Sequence, residues 1–596
     1  MPVSNPRRAS CTGPARGPLA IVAALASTLL LGACAAGAGG TDGIVDGSGS
    51  TLGSSGAIDS DAPSLAGDYL AGRFALDSGD LHAATASFQR ALEAAPDNVE
   101  LRRQVFLLQL ATGDIEAALV SGEQLSALDP ETDEVDLLFA LRDAKAGDFA
   151  SSQRRFEALA PRGLTGLAAP LLDAWAMFGQ GNVEGGLRRL RAGSDEDGLG
   201  PLRRYNEALM LRAAGRRDEA LLLLRGEIKP ETPAASRVVE TLAAFEVESG
   251  NRDRAVKLLE DQIALTGEGG ALSDMLVVVQ GGGSPDVPVT DATSGMADAL
   301  LGVAEAVSQQ RAGPQGLFFA RLAAYLAPQR GDVWLLIGRI EQLQENDAEA
   351  ARAYATVPRS SPYSWEARLA EADAMAASGQ TDAAVERLRA MAAEQPTRTD
   401  ALRQLGDLYR RNERFADAAR AYGEAIERLA VVEPEDWRLF YSNGIALERL
   451  DRWSEAEASL LRALELAPDQ PLVLNYLGYS WVDQGVNLER GQEMLVRAVE
   501  LRPQDGFIVD SLGWAYFKLG EFDKAVEALE RAVELEPGDP VINDHLGDAY
   551  WRVGREREAR FQWQRALVLK PEEDEIAAIE SKLQRGLPAV TGAGRG

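Results

Sequence analysis

Residues that could carry out chemistry are scarce in this chain of 596 amino acids. Its two histidines, His82 and His545, lie far apart in the sequence, and its two cysteines are Cys11 and Cys34. The sequence contains no His-Glu-x-x-His motif, no cysteine cluster and no Gly-x-Ser-x-Gly turn. Acidic pairs are frequent, but they have the pattern of solvated helix faces and first turns. We therefore expect no catalytic residue, no metal site, no cofactor and no enzymatic activity.

A periodic pattern of small residues occupies most of the chain instead. Glycines recur at intervals of about 34 residues, and a small residue stands five residues after each, at these pairs: Gly79 and Ala84, Gly113 and Ala118, Gly147 and Ser152, Gly181 and Gly186, Gly215 and Ala220, Gly250 and Ala255. A second series has small residues at Ala350, Ala384, Ala418, Ala456, Gly491, Ala525 and Ala559. The late units are closed by Pro468, Pro503, Pro537 and Pro571. A 34-residue period is typical of helix–turn–helix units that stack into a solenoid.

The unit that ends at Pro537 shows the physical basis of this pattern. Gly513 allows a neighbouring helix to approach closely, and Gly520 ends the first helix because glycine adopts positive φ without strain. Ala525 and Leu529 then lie on the buried face of a second helix, which Pro537 stops. One such pair cannot bury its own apolar stripe, so it needs neighbours on both sides.

These residues resemble tetratricopeptide repeats. The resemblance is strongest over Asp505–Pro537, which contains LGWAYFKLGEFDKAVEALERAVELEP, and over Pro540–Pro571, which contains LGDAYWRVGREREARFQWQRALVLKP. It covers roughly residues 65–585, with about six units before residue 262 and about eight after residue 297. It implies an all-α tetratricopeptide repeat solenoid, a right-handed superhelix of antiparallel helix pairs.

The start of the chain has the features of an export signal. Arg7, Arg8 and Arg16 precede an apolar run over residues 19–31, which is too short to span a bilayer. The sequence Leu-Gly-Ala-Cys that ends at Cys34 resembles the bacterial lipobox, in which the cysteine is lipidated and becomes the mature N-terminus. This predicts a lipid-anchored protein of the bacterial envelope, at the outer membrane and facing the periplasm. An ordinary cleaved signal with an incidental cysteine is the alternative.

Composition divides the chain into further segments. The predicted divisions are a lipoprotein signal peptide (1–33), a Gly/Ser-rich tether (34–64), an N-terminal repeat block (65–262), an irregular loop or hinge (263–296), a C-terminal repeat block (297–571), and a capping helix with a disordered tail (572–596). The glycines and prolines of residues 281–295 argue against a regular helix there. Two interpretations stay open for this interruption: a hinge between two blocks, or an exposed loop on one continuous superhelix.

The charge of the chain limits its partners. The formal net charge is −30, and removal of a leader with three arginines and no acidic residue lowers it to −33. Such acidity disfavours nucleic acid and anionic lipid headgroups as partners. We expect protein partners, no small-molecule substrate, and membrane association through Cys34.

In tetratricopeptide arrays the first helices of the pairs line the concave face, and the resemblance places a partner-binding groove there. The candidate groove residues are Tyr441, Asn475, Tyr479, Asp510, Trp514, Phe517, Asp544 and Trp551. Aromatic rings supply contact area and asparagine can bond a backbone in both directions. The alternative is that several of these rings pack between adjacent helices. A clamp for a terminal carboxylate does not match, because Asp510 and Asp544 would repel it.

A narrower resemblance covers residues 437–567. The motifs Asn475–Tyr479, Asp510–Trp514 and Asn543–Asp548 resemble long proteobacterial repeat lipoproteins, some of which are adaptors of carboxyl-terminal processing proteases. This implies a periplasmic scaffold that brings a processing protease and cell-wall hydrolase clients together. The alternative is a structural assembly factor for an envelope complex in secretion, pilus formation or polysaccharide export.

Overall fold

The structure, a computed structural model, describes residues 64–159, 163–193, 198–229, 231–266, 270–287, 289–309 and 313–588. Within these ranges the chain forms thirty α-helices and one short 3₁₀-helix, with no strand, which confirms the all-α prediction. The described residues divide into two compact units, 64–429 and 430–588. The leader, Cys34 and nearly all of the predicted tether lie outside the described residues.

The first unit contains helices α1 to α21. Their bounds are α1 Leu65–Asp77, α2 Leu81–Ala94, α3 Val99–Thr112, α4 Ile115–Leu128, α5 Asp133–Lys145, α6 Phe149–Ala158, α7 Gly163–Gly179, α8 Val183–Arg191, α9 Gly200–Ala213, α10 Arg217–Glu227, α11 Ser236–Glu248, α12 Arg252–Thr266, α13 Ala271–Gln280, α14 Ala292–Gln309, α15 Gly313–Leu326, α16 Gly331–Leu343, α17 Asp347–Thr356, α18 Ser364–Ala377, α19 Thr381–Glu394, α20 Asp400–Arg411 and α21 Phe415–Glu427.

The second unit begins with the 3₁₀-helix Pro434–Asp436 and contains helices α22 to α30. Their bounds are α22 Trp437–Glu448, α23 Trp453–Leu466, α24 Pro471–Asp483, α25 Leu488–Leu501, α26 Gly506–Lys518, α27 Phe522–Leu535, α28 Pro540–Arg552, α29 Glu556–Val568 and α30 Glu573–Arg585. The last of these follows the final repeat pair.

The helices pack as consecutive pairs, six from α1 to α12 and eight from α14 to α29. The six early turn glycines, from Gly79 to Gly250, all have φ between 79° and 84°, the left-handed conformation that glycine adopts without strain. Glu345, Glu413 and Asp451 take the equivalent turn position in later pairs with φ between 57° and 64°. The repeat geometry therefore imposes left-handed backbone even where the sequence has no glycine.

Close approach within a pair depends on small residues. A Cβ atom at Gly513 would lie 2.6 Å from Leu529 Cγ, so a larger residue there would push α26 and α27 apart. Ala84 and Ala525, which represent the small-residue positions of the early and late series, are fully buried in the second helices of their pairs. The periodic small residues of the sequence therefore lie at close contacts between helices in both units.

The segment 263–296 differs from the expected irregular loop. Residues 271–280 form α13, whose Leu272 and Val279 are buried against α11 and α12. Arg252 Nη1 donates to Val279 O at 2.7 Å and Gly283 O at 2.6 Å, which satisfies carbonyls at the end of that helix. Helix α14 already begins at Ala292, within the stretch where a regular helix was not expected, because Asp291 and Ser294 cap its first turn.

The later pairs of the first unit fold back over the earlier ones. Helix α14 packs against α7 and α9, and α15 packs against α3 and α5. All four of these partners are first helices of their pairs, so they present the face that lines the groove in such arrays. The sequence places a division at 263–296, whereas the compact units divide between Leu429 and Ala430, because this packing joins residues on both sides of 263–296 into one unit.

Apolar burial and a few long-range polar contacts hold α14 and α15 in place. Met296, Leu300 and Leu301 of α14 are fully buried in the largest hydrophobic cluster of the first unit. Lys145 Nζ donates to Tyr325 O at 2.7 Å, and Arg321 Nε donates to Ala111 O at 3.2 Å. The two helices are therefore part of the core of the first unit.

A network of buried charges connects α14 with neighbouring elements. Asp298 is fully buried and accepts hydrogen bonds from Arg237 Nη2 at 2.8 Å and Arg330 Nη1 at 3.0 Å. Nearby, the hydroxyl of Tyr363 donates to the carboxylate of Glu240. Burial raises the pKa of Glu240 to about 7, while the hydrogen bond from Tyr363 acts in the opposite direction.

Candidate protein-binding face

The predicted groove residues lie on the first helices of four successive pairs in the second unit, α22, α24, α26 and α28. The fifth residues of these helices are Tyr441, Asn475, Asp510 and Asp544. The ninth and twelfth positions supply Tyr479, Trp514, Phe517 and Trp551. Positions five, nine and twelve share one side of a helix, so we call this surface the inner face of the second unit.

Helix starts fix which residues reach the inner face. Asp505 accepts a hydrogen bond from the backbone N–H of Ile508 at 3.3 Å and so begins α26. Asp539 accepts one from Ile542 at 3.0 Å and, with Pro540 in the first turn, begins α28. These caps set the register that places Asp510 and Asp544 at equivalent positions.

Trp514 lies in the middle of a stack of three rings. Its ring is parallel to that of Phe517, with centroids 4.7 Å apart, and to the imidazole of His545, with centroids 4.0 Å apart. Both faces of the indole are therefore covered by neighbours from α26 and α28. Trp514 therefore stabilises the packing of α26 against α28, and the edge of its indole is the part that remains exposed.

The rings nearer the start of the second unit also pack between adjacent helices. Tyr441 is buried, and its ring meets that of Tyr476 edge to face at a centroid distance of 5.9 Å. The hydroxyl of Tyr476 donates to Glu448 Oε2 at 3.0 Å. Tyr479 is half-buried, and burial, followed by the nearby Asp483 and Asp510, raises its pKa. The expected alternative, rings packed between helices, thus describes Tyr441 and Trp514.

Asp510 and His545 form an ion pair across two helices. Asp510 is buried, and both of its carboxylate oxygens lie 3.0 Å from His545 Nδ1. Burial lowers the pKa of His545, the charge of Asp510 raises it, and the net shift is upward. His545 therefore holds α28 to α26 while its ring extends the stack on Trp514.

The acidic residues at the end of the face share one lysine. Lys582 Nζ of α30 donates to Asp544 Oδ2 at 2.6 Å and to Asp548 Oδ2 at 2.8 Å, and Trp563 Nε1 donates to Asp548 Oδ1 at 2.8 Å. Burial, followed by the charge of Asp544, raises the pKa of Asp548 to about 6. The ammonium group of Lys582 therefore connects α30 to the acidic residues of the inner face.

Trp551 marks the far edge of the inner face. Its ring lies 5.5 Å from that of Trp563, and Gly586 lies directly against it. Arg552 Nη1 donates to Pro588 O at 2.7 Å, so residues after α30 run along this edge.

Two acceptor atoms on the inner face are left without partners. The side-chain oxygens Asn475 Oδ1 and Asp544 Oδ1 are buried, and the described residues supply no hydrogen-bond donor to either. Both atoms are closed to solvent in this conformation, and unpaired buried acceptors of this kind are unfavourable.

Lys582 was not identified from the sequence as part of this face. The signal was present, because Lys582 stands one 34-residue period after Asp548, with which it pairs. Nor was a role assigned to His82. That side chain is more than half exposed and lies 3.1 Å from Glu349 Oε1 at a cleft of about 440 Å³ in the first unit.

No membrane-spanning helix and no metal site occur in the part of the chain that the structure describes. None of its helices is both long and apolar enough to cross a bilayer. No three His, Cys, Asp or Glu side chains among those residues are grouped to hold a metal ion. The predicted lipidation site, Cys34, lies outside the described ranges.

Comparison with known families identifies the repeats. Models described as "Tetratricopeptide repeat" match residues 69–98, 369–430 and 403–471, and one described as "TPR repeat" matches residues 513–554. The matched segments lie in both units and overlap helices of the repeat pairs. These segments are therefore similar to tetratricopeptide repeats, which mediate protein–protein interactions, and the matches identify no catalytic domain.

Two curated relatives share parts of the chain. The TPR repeat-containing protein PA4667 of Pseudomonas aeruginosa is 28% identical over 160 residues, 27% of this chain and 26% of that protein. The general transcriptional corepressor ssn6 of Schizosaccharomyces pombe is 28% identical over 138 residues, 23% of this chain and 12% of that protein. The aligned segments thus span 26% of the first relative and 12% of the second.

The chain also has similarity to solved structures. The crystal structure of the APC/C hetero-tetramer Cut9-Hcn1 is 16% identical and covers 88% of this chain and 97% of that chain, with a TM-score of 0.36. A MamA structure labelled AMB-1 is 24% identical and covers 28% of this chain and 96% of that chain, with a TM-score of 0.24.

Proposed function

We propose that the protein is a lipid-anchored scaffold of the bacterial envelope that binds partner proteins through the inner face of its second unit. The observation that carries this proposal is the row of half-exposed rings and polar side chains on the inner face, among them Asn475, Tyr479 and Trp514. A partner segment would cover the edges of these rings and form hydrogen bonds with the polar side chains beside them. Cys34 would hold the scaffold at the outer membrane.

Within this role we propose an adaptor that brings a processing protease and its cell-wall hydrolase clients together. Anchoring and simultaneous binding raise the local concentration of one partner near the other without any new chemistry. The support is the lipobox-like sequence at Cys34 and the similarity of the late repeats to long proteobacterial repeat lipoproteins.

The test is an affinity purification from periplasmic extract with the mature chain as bait, followed by mass spectrometry. Phe507 is the second residue of α26, on the same side as Asp510 at position five, and it is exposed. The variant Asn475→Ala with Phe507→Ala therefore alters the inner face without removing the ring stack. The matched control is Leu222→Ala, an exposed apolar side chain on α10 of the first unit. We expect the inner-face variant, and not the control, to lose its partners.

The identity of the recovered proteins separates the two roles. A processing protease together with a hydrolase, and faster hydrolase degradation when the purified chain is added, supports the adaptor. Transport or pilus subunits in a stable complex, with no effect on proteolysis, would replace it with an assembly scaffold. Partners retained equally by the inner-face variant and the control would contradict the proposed binding face.

A further inference from the structure

The outer face of α29, the second helix of the last pair, differs from that of α27, the second helix of the preceding pair. Its exposed stripe consists of Arg557, Phe561, Gln564 and Val568. These residues are spaced by four, three and four positions, so they lie along one side of the helix. Phe561 and Val568 are 62% and 75% exposed, although neither belongs to the predicted groove.

The 34-residue period provides a direct reference for this stripe. The residues one period earlier, on α27, are Asp523, Glu527, Glu530 and Glu534, all acidic. Phe561 therefore replaces the equivalent of Glu527, and Val568 replaces the equivalent of Glu534. The repeat fold tolerates carboxylates at these positions, so packing within the unit does not require apolar residues there. Their exposure on α29 is therefore not explained by packing within the second unit.

The stripe is complementary to itself in an antiparallel arrangement. Phe561 and Val568 lie on either side of a centre between Gln564 and Arg565. A two-fold axis at this centre brings Phe561 of one copy over Val568 of the other, and the reverse contact forms at the same time. The acidic residues Glu572 and Glu573 follow one end of the stripe, and Arg557 stands at the other end.

Charge favours a second copy at this face over other faces of the chain. Two copies of a protein with a net charge of −30 repel each other over most of their surfaces. The α29 stripe carries an arginine and no carboxylate, which removes this repulsion where the apolar side chains meet. We propose that the α29 stripe is a self-association surface at which two copies pair through antiparallel α29 helices.

Sedimentation analysis of the mature chain, with Cys34→Ser to prevent disulfides, tests this proposal. Because one helix face buries a small area, we expect a weak dimer that forms on the order of 100 µM. Phe561→Glu with Val568→Glu restores the residues that α27 carries and should preserve folding. It should weaken dimerisation by about tenfold or more. The control Leu222→Glu alters an exposed leucine elsewhere and should leave dimerisation unchanged.

Cysteine cross-linking locates the axis. Gln564→Cys, near the predicted centre, should form a disulfide-linked dimer on mild oxidation, and this product should disappear when Phe561→Glu is added. Glu527→Cys, at an equivalent outer position of α27, should remain monomeric. A chain that stays monomeric at such concentrations, or a dimer unaffected by Phe561→Glu, would overturn the proposal. A monomer whose α29 variant loses another protein or binds vesicles less would assign the stripe to a different occupant.

Discussion

In the first unit, the inner helices α3, α5, α7 and α9 are covered by α14 and α15 of the same chain. In the second unit, the main helix packing joins neighbours in the repeat order, and the inner face is built from rings stacked on one another. The side chains differ accordingly. Trp175 of α7 is fully buried against α14 at Gly295, whereas Trp514 of α26 remains half-exposed.

The repeat pattern alone therefore does not make a binding groove. The inner face of α7 is apolar and needs a partner from the same chain to bury it. The inner face of the second unit combines rings with Asn475, Asp510 and Asp544, which tolerate contact with water. Such a face can exist uncovered and exchange water for a partner. We therefore place the proposed binding surface on the second unit.

The largest expected effect is a loss of stability when a buried charge of α14 is removed, and we compare it with the loss of a charge on the inner face. Asp298→Ala leaves the buried guanidinium groups of Arg237 and Arg330 without their common partner, so we expect a loss of about 3–5 kcal/mol from the stability of the first unit. Asp510→Ala, in the partly open second unit, should cost about 1–2 kcal/mol. Hydrogen exchange with mass spectrometry measures the stability of each unit separately, and equal losses would contradict the expected difference between them.

The pH dependence of stability tests the buried polar network of the first unit. Burial raises the pKa of Glu240 to about 7, so the folded state binds a proton that the unfolded state has released. The stability contribution of this group is therefore highest below its usual pKa and falls as pH rises through about 7, by roughly 3 kcal/mol in all. Glu240→Gln should flatten this part of the urea-midpoint profile. A wild-type midpoint that rises between about pH 5 and pH 8 in this unit would contradict the assignment.

The ring stack of the second unit should contribute less than a core residue. Trp514→Ala removes contacts with Phe517 and His545 from a half-exposed site, and we expect the second unit to lose roughly 2 kcal/mol. Phe507→Ala, on the same helix but exposed, should change stability by less than about 0.5 kcal/mol. Denaturant unfolding followed by hydrogen exchange measures both. A Trp514→Ala loss as small as that of Phe507→Ala would show that the stack does not support the wall.

The smallest effect concerns a turn position that both units share. Glu413 has φ of 57° where glycine stands in most pairs, so Glu413→Gly should relieve strain and stabilise the first unit by about 0.5–1 kcal/mol. The reverse substitution in the second unit, Gly520→Ala at φ of 80°, should destabilise it by about 1 kcal/mol. Thermal unfolding measures both, and shifts of the same sign would refute this explanation.

The local architecture could be predicted from sequence because each landmark acts within one or two helices. Gly520 ends α26, Ala525 packs inside its own pair, and Pro537 separates two pairs, so a period read along the chain locates all three. For the same reason, the candidate groove residues could be assigned to the first helices of their pairs, where they lie. The stacking of Trp514 between Phe517 and His545 could not be predicted, since ring orientation depends on the spacing of neighbouring helices.

The sequence by itself determined the helical repeats, their turns and the residues that face inward, because these follow from contacts at fixed short separations along the chain. Only the tertiary structure decided that α14 and α15 fill the inner face of the early repeats and that Lys582 joins Asp544 to Asp548. The buried ion pairs of Asp298 with Arg237 and Arg330 also depend on the tertiary structure. Contacts such as Arg321 with Ala111 join residues 210 positions apart, and no periodic signal specifies which distant faces will meet.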